Sequence, residues 1–184
     1  MKKVVKFGGS SLASAEQFKK VGRIIRADKS RMFVIPSAPG KRSSGDTKVT
    51  DMLYSCYGAA IREKKFTEQM NAIKERYQEI IDGLGLSLSL EDDFTQIREN
   101  FGKKIGRDYA ASRGEYLNGK IMASYLGFEF IDAAEVIRFD EDGHFNDAVT
   151  NELLSKRLEG STGAVIPGFY GAKEDGTVVT FSRG

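Results

Sequence analysis

The start of the chain places a tight glycine turn between a short apolar strand and an amphipathic helix, and this arrangement constrains the fold more than any other feature. Residues 2–7 have the strand pattern and run into a Gly-Gly-Ser turn. Apolar side chains then recur at helical spacing between positions 18 and 25, and residues 32–37 form a second apolar run. A strand, a helix and a second strand in this order predict a mostly parallel sheet that is covered by helices.

The same alternation continues along the rest of the chain. We predict helices near residues 49–62, 66–82, 90–101, 114–126 and 148–158, and strands near 128–131, 136–139, 164–166 and 178–181. The predicted fold class is therefore α/β, a three-layer αβα sandwich with a mostly parallel sheet, and residues 1–184 are predicted to form one domain. The Gly/Ser-rich loop at residues 39–47 is predicted to be exposed and mobile, which suits an active-site loop and a plain connector equally.

Charge and cysteine content exclude several classes of protein. The 28 basic and 26 acidic side chains give a net charge of +2, which is too balanced to indicate nucleic acid or an anionic membrane as a partner. The single cysteine, Cys56, excludes a disulfide framework and a cysteine zinc cluster, and its helical surroundings predict a buried thiol. His144 lies in an acidic turn without a second histidine or a cysteine nearby, so no metal site is predicted there. Because no apolar signal segment follows the first lysines, the expected compartment is the cytoplasm.

The glycine turn has the composition of a phosphate-binding loop. Glycines at positions 8 and 9 let the backbone approach an anion, the Ser10 hydroxyl is a further donor, and Lys6 supplies a point charge. Ser14 and Gln17 have the spacing of a capping box, so we predict that the first helix begins just after the turn and directs its N-terminal amides towards it. The same turn also occurs as a plain connection between a strand and a helix, and the pattern alone leaves both interpretations open.

Segments spread along the whole chain resemble the aspartate kinases of the amino acid kinase family. They comprise residues 4–11 with the glycine turn, Ser-Ala-Pro-Gly at 37–40, Lys-Val-Thr-Asp at 48–51, Ser-Arg-Gly-Glu at 112–115 with the strand region at 132–137, and Gly-Phe at 168–169 with Thr-Phe-Ser-Arg-Gly at 180–184. The resemblance covers essentially all 184 residues but only the front part of a family kinase domain, so we expect a truncated chain that stops before the family's catalytic aspartate and its adenine contacts. Pro36 departs from the family pattern, in which a β-branched residue is common before the serine.

The resemblance implies transfer of the γ-phosphoryl group of ATP, with Mg²⁺, to the side-chain carboxylate of L-aspartate. The product is 4-phospho-L-aspartate, in the first step of lysine, threonine and methionine biosynthesis. By resemblance, Lys6 is catalytic and contacts the transferring phosphoryl group, while Gly8, Gly9 and Ser10 bind phosphate. No residue is expected to bind a metal directly.

The residues that the resemblance assigns to the amino acid substrate are Ser37, Thr50, Glu115 and Arg183. In the family the glutamate meets the α-amino group of aspartate, and the arginine pairs with a substrate carboxylate. Ser112 and Glu115 also have capping-box spacing, so the local pattern predicts a helix that begins near residue 114 with Glu115 in its first turn. We expect Ser112 to cap this helix while Glu115 binds substrate.

Two other functions stay open. One is another amino acid kinase, acting on glutamate or a carbamate, although the Ser-Arg-Gly-Glu turn and the long helical middle favour aspartate. The other is a non-catalytic fragment that docks on a complete kinase through an unpaired sheet edge, and formation of a homo-oligomer is a related open question. We expect little or no turnover from these 184 residues alone, because the family's nucleotide contacts lie beyond them.

Overall fold

A four-stranded parallel sheet forms the centre of the computed structural model, which describes residues 1–182. Its strands are β1 (Lys3–Phe7), β2 (Arg31–Pro36), β3 (Glu129–Phe130) and β4 (Ala164–Val165), arranged in the order β1-β2-β4-β3. Two further strands, β5 (Tyr170–Ala172) and β6 (Val178–Thr180), form a separate antiparallel hairpin. All pairs in the larger sheet are parallel, so the carboxyl ends of its strands lie at one edge.

The helices of the described part are α1 (Ala15–Arg26), α2 (Val49–Ile61), α3 (Thr67–Leu84), α4 (Glu91–Gly102), α5 (Arg107–Leu126), α6 (Ala133–Val136) and α7 (Asp147–Arg157). Ser14 caps α1 as predicted, because its hydroxyl accepts a hydrogen bond from the Gln17 amide at 3.4 Å. Helix α1 begins directly after this cap, and a short 3₁₀ helix at Gly9–Leu12 precedes it. No helix within residues 1–182 has the length and apolar character needed to cross a bilayer.

Helices cover both faces of the parallel sheet. On β2, the neighbouring residues Phe33 and Val34 face opposite sides, because side chains alternate along a strand. Val34 belongs to the larger core, which the five helices α1 to α5 build, and Phe33 belongs to a smaller core with residues of α6 and α7. The predicted three-layer αβα arrangement with a mostly parallel sheet is therefore confirmed.

Helix α5 begins at Arg107 and not near residue 114. Ser112 lies inside the helix, where its hydroxyl donates to the Tyr109 carbonyl at 2.7 Å. The capping role predicted for Ser112 is therefore wrong, and so is the first-turn position predicted for the glutamate that follows. The glycine at position 114 explains the misleading pattern, because a Cβ there would lie 2.8 Å from the Cβ of Ala38. This glycine permits close packing within a helix and does not mark a helix start.

Two predictions for the last third of the chain differ from the structure. Residues 136–139, predicted as a strand, contain the end of α6 followed by isolated bridges. Asp132 caps α6 by accepting from the Ala134 amide at 3.0 Å, and such local capping competes with an extended conformation. The strand predicted at 178–181 exists as β6, but it pairs with β5, which the sequence pattern misses, and not with the parallel sheet.

The loop at residues 39–47 is exposed at positions 41–45, as predicted. Both of its ends contact the buried Arg76 of α3, with 2.6 Å from Nη2 to the Gly40 carbonyl oxygen and 2.7 Å from Nη1 to the Asp46 carboxylate. The loop is therefore held at both ends against the body of the protein, although its composition predicts a mobile segment.

Candidate active site

The carboxyl ends of β1, β2 and β4 open into one cavity of about 760 Å³. Residues 9–10 follow β1, residues 37–41 follow β2 and residues 168–169 follow β4, and all of these segments line the cavity. Ligands of open α/β sheets bind at this edge of the sheet. The other lining residues are Lys6, Lys48, Thr50, Glu115, Phe181 and Ser182.

The turns that follow β1 and β2 pack directly against each other. The Gly40 amide donates to the Gly9 carbonyl at 2.8 Å. A Cβ on Gly9 would lie 2.7 Å from the Ala38 carbonyl oxygen, and a Cβ on Gly40 would lie 2.6 Å from the Gly9 carbonyl carbon. Because both contacts involve backbone atoms, a side chain at either glycine would separate the two turns. These glycines therefore fix the shape of one side of the cavity.

Gly8 differs from its neighbour in its surroundings. Its backbone is extended, with φ −75° and ψ 165°, and its carbonyl accepts from the Ser11 amide at 3.0 Å. A Cβ at Gly8 would meet no atom within 4 Å among the described residues. The fold therefore does not require glycine at this position, and the open surface leaves room for a ligand to approach the backbone.

Lysines dominate the charge of the cavity. Lys6, Lys41 and Lys48 line it together with Glu115, the one carboxylate among its described lining residues. None of these three lysines forms an ion pair within residues 1–182, where the paired lysines are those at positions 3, 74, 104 and 120. Three ammonium groups around one opening, without an ion pair in the described part of the chain, favour an anionic ligand.

Glu115 is only 6% exposed and lies in the middle of α5. The preceding Gly114 carbonyl accepts a hydrogen bond from the Tyr77 hydroxyl at 2.8 Å, which joins α5 to α3. Burial raises the pKa of Tyr77 well above its ordinary range, and the negative charge of Glu115 adds to this shift. A buried carboxylate that reaches a cavity is suited to recognise an ammonium group, because charge-assisted hydrogen bonds are strong in such surroundings.

Helix α5 also positions the turn that follows β2. Asn118, which is fully buried, donates from Nδ2 to the Ser37 carbonyl at 2.7 Å. Asn118 and Glu115 are three residues apart and therefore share one face of the helix. Thr50 is buried in the first turn of α2, with its hydroxyl oxygen 3.8 Å from the place of a Cβ on Gly114. Through Gly114 and Asn118, helix α5 thus holds Thr50 and Ser37 close to Glu115.

Phe169 shapes the wall that lies after β4. Its backbone φ is +79°, in the left-handed region that bulky residues rarely adopt. The Phe169 carbonyl accepts from the Phe181 amide at 2.8 Å, and this contact draws the chain after β6 to the cavity. The Phe181 ring packs on Phe139 and Phe145, with ring centroids 4.8 Å and 5.4 Å apart. The antiparallel hairpin is therefore the element that closes this side of the site.

The structure brings most of the predicted site residues together at the cavity, namely Lys6, Gly9, Ser10, Ser37, Thr50 and Glu115. Gly8 lies in the turn beside the lining residues, and Arg183 lies outside the described residues. The sequence analysis misses Lys41, Lys48, Phe169 and Phe181 as lining residues, and Asn118 as their support. Lys48 belongs to the Lys-Val-Thr-Asp segment that led to the prediction for Thr50, so this segment could have indicated it. No sequence motif contains Lys41.

A separate acidic turn contains Asp140, Asp142 and His144, whose potential ligand atoms lie within 4.8 Å of one another. All three residues are exposed, and none lines the cavity described above. The His144 amide donates to the Asp140 carboxylate at 2.8 Å, and this bond lowers the pKa of Asp140. Hydrogen bonding within the turn accounts for the grouping.

The sequence profile of the amino acid kinase family matches residues 1–184. Aspartokinase 3 of Bacillus subtilis is 37% identical over 196 residues, in a match that covers 98% of this chain and 43% of the relative. Chloroplastic aspartokinase 1 of Arabidopsis thaliana is 28% identical over 206 residues, covering 98% of this chain and 36% of the relative. The chain thus spans less than half the length of these curated relatives.

Solved structures show the same likeness. The aspartate kinase of Clostridium acetobutylicum superposes with a TM-score of 0.95 at 47% identity, covering 100% of this chain and 42% of that chain. E. coli aspartokinase III in complex with aspartate and ADP has a TM-score of 0.79 at 20% identity, covering 100% of this chain and 44% of that chain, and at this identity the likeness concerns the fold alone. The profile match over the whole sequence and this agreement in fold show that the chain belongs to the amino acid kinase family.

Proposed function

We propose that this chain supplies the phosphate-binding and amino-acid-binding walls of an aspartate kinase, which transfers the γ-phosphoryl group of ATP to the side-chain carboxylate of L-aspartate. The observation that carries the proposal is the meeting of Lys6, the glycine turn and Glu115 at one cavity. The relatives from Bacillus subtilis and Clostridium acetobutylicum, both named as aspartate kinases, support it.

Lys6 is the catalytic residue of this proposal. Its ammonium group stands at the carboxyl end of β1 and forms no ion pair within residues 1–182, so it is available to the transferring phosphoryl group. Gly8, Gly9 and Ser10 offer backbone and hydroxyl donors to the same phosphate. Phosphoryl transfer depends mainly on positioning and on neutralising charge, and these are the two contributions that this side of the cavity can make.

Within residues 1–182, the lining residues do not form a dedicated metal site. Mg²⁺ bound with the nucleotide would supply further neutralisation of phosphate charge, and proteins usually hold this ion through one or two carboxylates together with substrate phosphates. Glu115 is the one carboxylate among the described lining residues, and the proposal assigns it to the amino acid. These walls therefore contribute phosphate-binding cations and no set of metal ligands.

Glu115 is the main amino-acid-binding residue of the proposal. Its buried carboxylate would accept hydrogen bonds from the α-amino group of L-aspartate, in surroundings where such a charged pair is strong. Thr50 and Ser37 line the same cavity and would contact the amino acid there. Arg183 would pair with a substrate carboxylate through its planar guanidinium group.

Calorimetric titration of the 184-residue chain with L-aspartate tests the proposal. We expect binding that Glu115→Gln weakens at least about tenfold, because a neutral amide cannot balance the ammonium charge. Glu99→Gln is the matched control, since Glu99 is an exposed glutamate of α4 outside the cavity, and it should leave the affinity unchanged. Unaltered aspartate affinity in Glu115→Gln would contradict the proposal, and tighter binding of L-glutamate than of L-aspartate would favour a glutamate kinase.

The proposal carries two wider expectations. An aspartate kinase would act in lysine, threonine and methionine biosynthesis, and we propose a cytoplasmic location. The buried, unpaired Cys56 suits a reducing compartment. Growth of an aspartokinase-deficient strain without these amino acids, restored by the protein that contains this chain, would support the first expectation.

Association with another kinase chain is a second candidate role, and one observation favours it. Strand β1 is an edge strand of the described sheet, and Val4 on it is 67% exposed. Light scattering over a range of concentrations tests this role. A mass that rises with concentration would support it, and a monomer mass throughout would reject it.

A further inference from the structure

One buried arginine holds the loop at residues 40–46 from both ends. Arg76 of α3 is 3% exposed. Its Nη2 donates to the Gly40 carbonyl at 2.6 Å, and its Nη1 donates to the Asp46 carboxylate at 2.7 Å. A planar guanidinium group fixes two acceptors at a set separation, so these contacts determine where the loop begins and ends.

Arg42 also links the beginning of the loop to its end through Asp46. The Arg42 amide donates to the Asp46 carboxylate at 2.8 Å, and Arg42 Nε donates to it at 3.0 Å. Arg42 Nη1 reaches Glu79 of α3 at 2.6 Å. The charge of Arg42 is thus balanced by two carboxylates outside the cavity.

Lys41, the residue before Arg42, has the opposite surroundings. It lines the cavity, and it forms no ion pair within residues 1–182. The two adjacent basic residues therefore differ, because Arg42 is neutralised by Asp46 and Glu79 whereas Lys41 directs its charge to the cavity.

The position of Lys41 indicates which part of a ligand it faces. It follows Gly40, whose Cβ position lies 2.7 Å from the Ser10 amide nitrogen and whose own amide bonds to Gly9. Lys41 therefore enters the cavity beside the glycine turn. Glu115 and Thr50 line the cavity from the helices α5 and α2.

We propose that Lys41 is a further polyphosphate-binding residue of this cavity and that Arg76 is the positioning residue that places it there. The inference rests on the proposed function, because it adds a cation to the phosphate side of the same site. Lys41 would contact phosphate oxygens beyond the one that Lys6 contacts, and Arg76 would act only through the loop.

Titration of the 184-residue chain with inorganic tripolyphosphate tests the role of Lys41. We expect Lys41→Ala to weaken tripolyphosphate binding roughly tenfold, as for loss of one charge-assisted contact. Lys65→Ala is the matched control, since Lys65 is exposed and lies outside the cavity, and it should change nothing. Equal affinity of wild type and Lys41→Ala, or no binding by wild type, would overturn the inference. If L-aspartate affinity falls instead, Lys41 serves the carboxylates of the amino acid.

Lys6→Ala separates this inference from the proposed function. Weaker tripolyphosphate binding in Lys6→Ala but not in Lys41→Ala would overturn the inference and leave the proposed function standing. Unchanged binding in both variants would contradict the phosphate site itself.

A double-mutant cycle tests the positioning role of Arg76. Arg76→Gln should weaken tripolyphosphate binding to a similar degree and leave L-aspartate affinity unchanged, which a general loss of structure would not do. Adding Lys41→Ala to Arg76→Gln should cause little further loss, because both changes remove the same contact. If Arg76→Gln fails to fold, Asp46→Asn releases the outer end of the loop and should give the same pattern more weakly. Fully additive losses, or equal losses for both ligands, would overturn the role of Arg76.

Discussion

Of the two adjacent glycines in the phosphate turn, packing requires glycine at position 9 but not at position 8. A Cβ on Gly9 would press against the Ala38 carbonyl, whereas a Cβ on Gly8 would meet open space. We therefore predict that Gly9→Ala lowers the free energy of unfolding by about 1–3 kcal/mol, the usual cost of overpacking. Gly8→Ala should change it by less than about 0.5 kcal/mol, because its extended backbone suits alanine.

Urea denaturation of the two variants measures both values. Each variant serves as the control for the other, because both replace a glycine of the same turn by alanine. Equal destabilisation by both changes would mean that the packing between the turns after β1 and β2 does not set the requirement for glycine.

Cys56 illustrates a residue whose chemistry the fold suppresses. The thiol is buried in the larger core, and burial raises the pKa of Cys56 to about 12. Since only the thiolate is an effective nucleophile, we predict that Cys56 reacts with a disulfide reagent at pH 8 at least about a thousandfold more slowly in the native chain than in urea. Rapid labelling of the native chain would show that this core opens without global unfolding.

At the scale of elements, the loop at residues 40–46 depends on one carboxylate. Arg42 is the main cause that lowers the pKa of Asp46 below its ordinary value of 3.8, and Arg76 contributes less. A lowered pKa means that the stabilising pairs are fully formed above the ordinary value and are lost only as the pH falls through the lowered one. The loop should therefore keep its anchors at pH 4.

NMR titration of the Asp46 carboxyl carbon checks this electrostatic account. We predict a midpoint below 3.8 in the wild type and a rise towards 3.8 in Arg42→Ala. Lys74→Ala is a suitable control, because Lys74 pairs with Glu91 and not with the loop. A midpoint that Arg42→Ala leaves unchanged would mean that the Arg42 side chain is not the main cause, and that the backbone amides of residues 42 and 47, together with Arg76, lower the pKa of Asp46.

The elements also show where sequence patterns suffice and where they fail. The β1-turn-α1-β2 unit follows from local signals, since apolar periodicity and the Ser14 cap act over a few residues. The start of α5 does not, because Gly114 serves contact with Ala38, which is distant in sequence. Its Ser-x-x-Glu spacing coincides with a capping pattern that the helix does not use. The sequence alone does not distinguish a glycine that ends a helix from one that allows another segment to pack closely against the helix.

The same distinction applies to the candidate site. Lys6, Gly9 and Glu115 could be named from motifs, because each belongs to a short segment of recognisable composition. Lys41 lies outside every matching segment, and the segment that contains Phe169 assigns it no role. Both residues are placed by contacts between distant elements, since Arg76 binds the carbonyl before Lys41 and Phe181 binds the carbonyl of Phe169. Motifs therefore find the residues beside the strand ends, and tertiary packing adds the rest.

At the scale of the whole molecule, the parallel sheet explains why the charges gather. Three strand ends lie at one edge, and the segments that follow them carry the cavity. The net charge of the chain is only +2, so its overall field attracts anions weakly. Affinity for an anion must then come from the local group of Lys6, Lys41 and Lys48.

Local attraction of this kind predicts a particular response to salt. Raising ionic strength from 0.1 M to 1 M shortens the screening length from about 10 Å to about 3 Å, so tripolyphosphate affinity should fall about tenfold or more. L-aspartate affinity should fall less, because the buried Glu115 is screened less than exposed lysines. Calorimetry at several salt concentrations measures both. In a Lys41→Ala, Lys48→Ala double variant the salt dependence for tripolyphosphate should become shallower. A slope that the double variant leaves unchanged would mean that the anion binds elsewhere on the molecule.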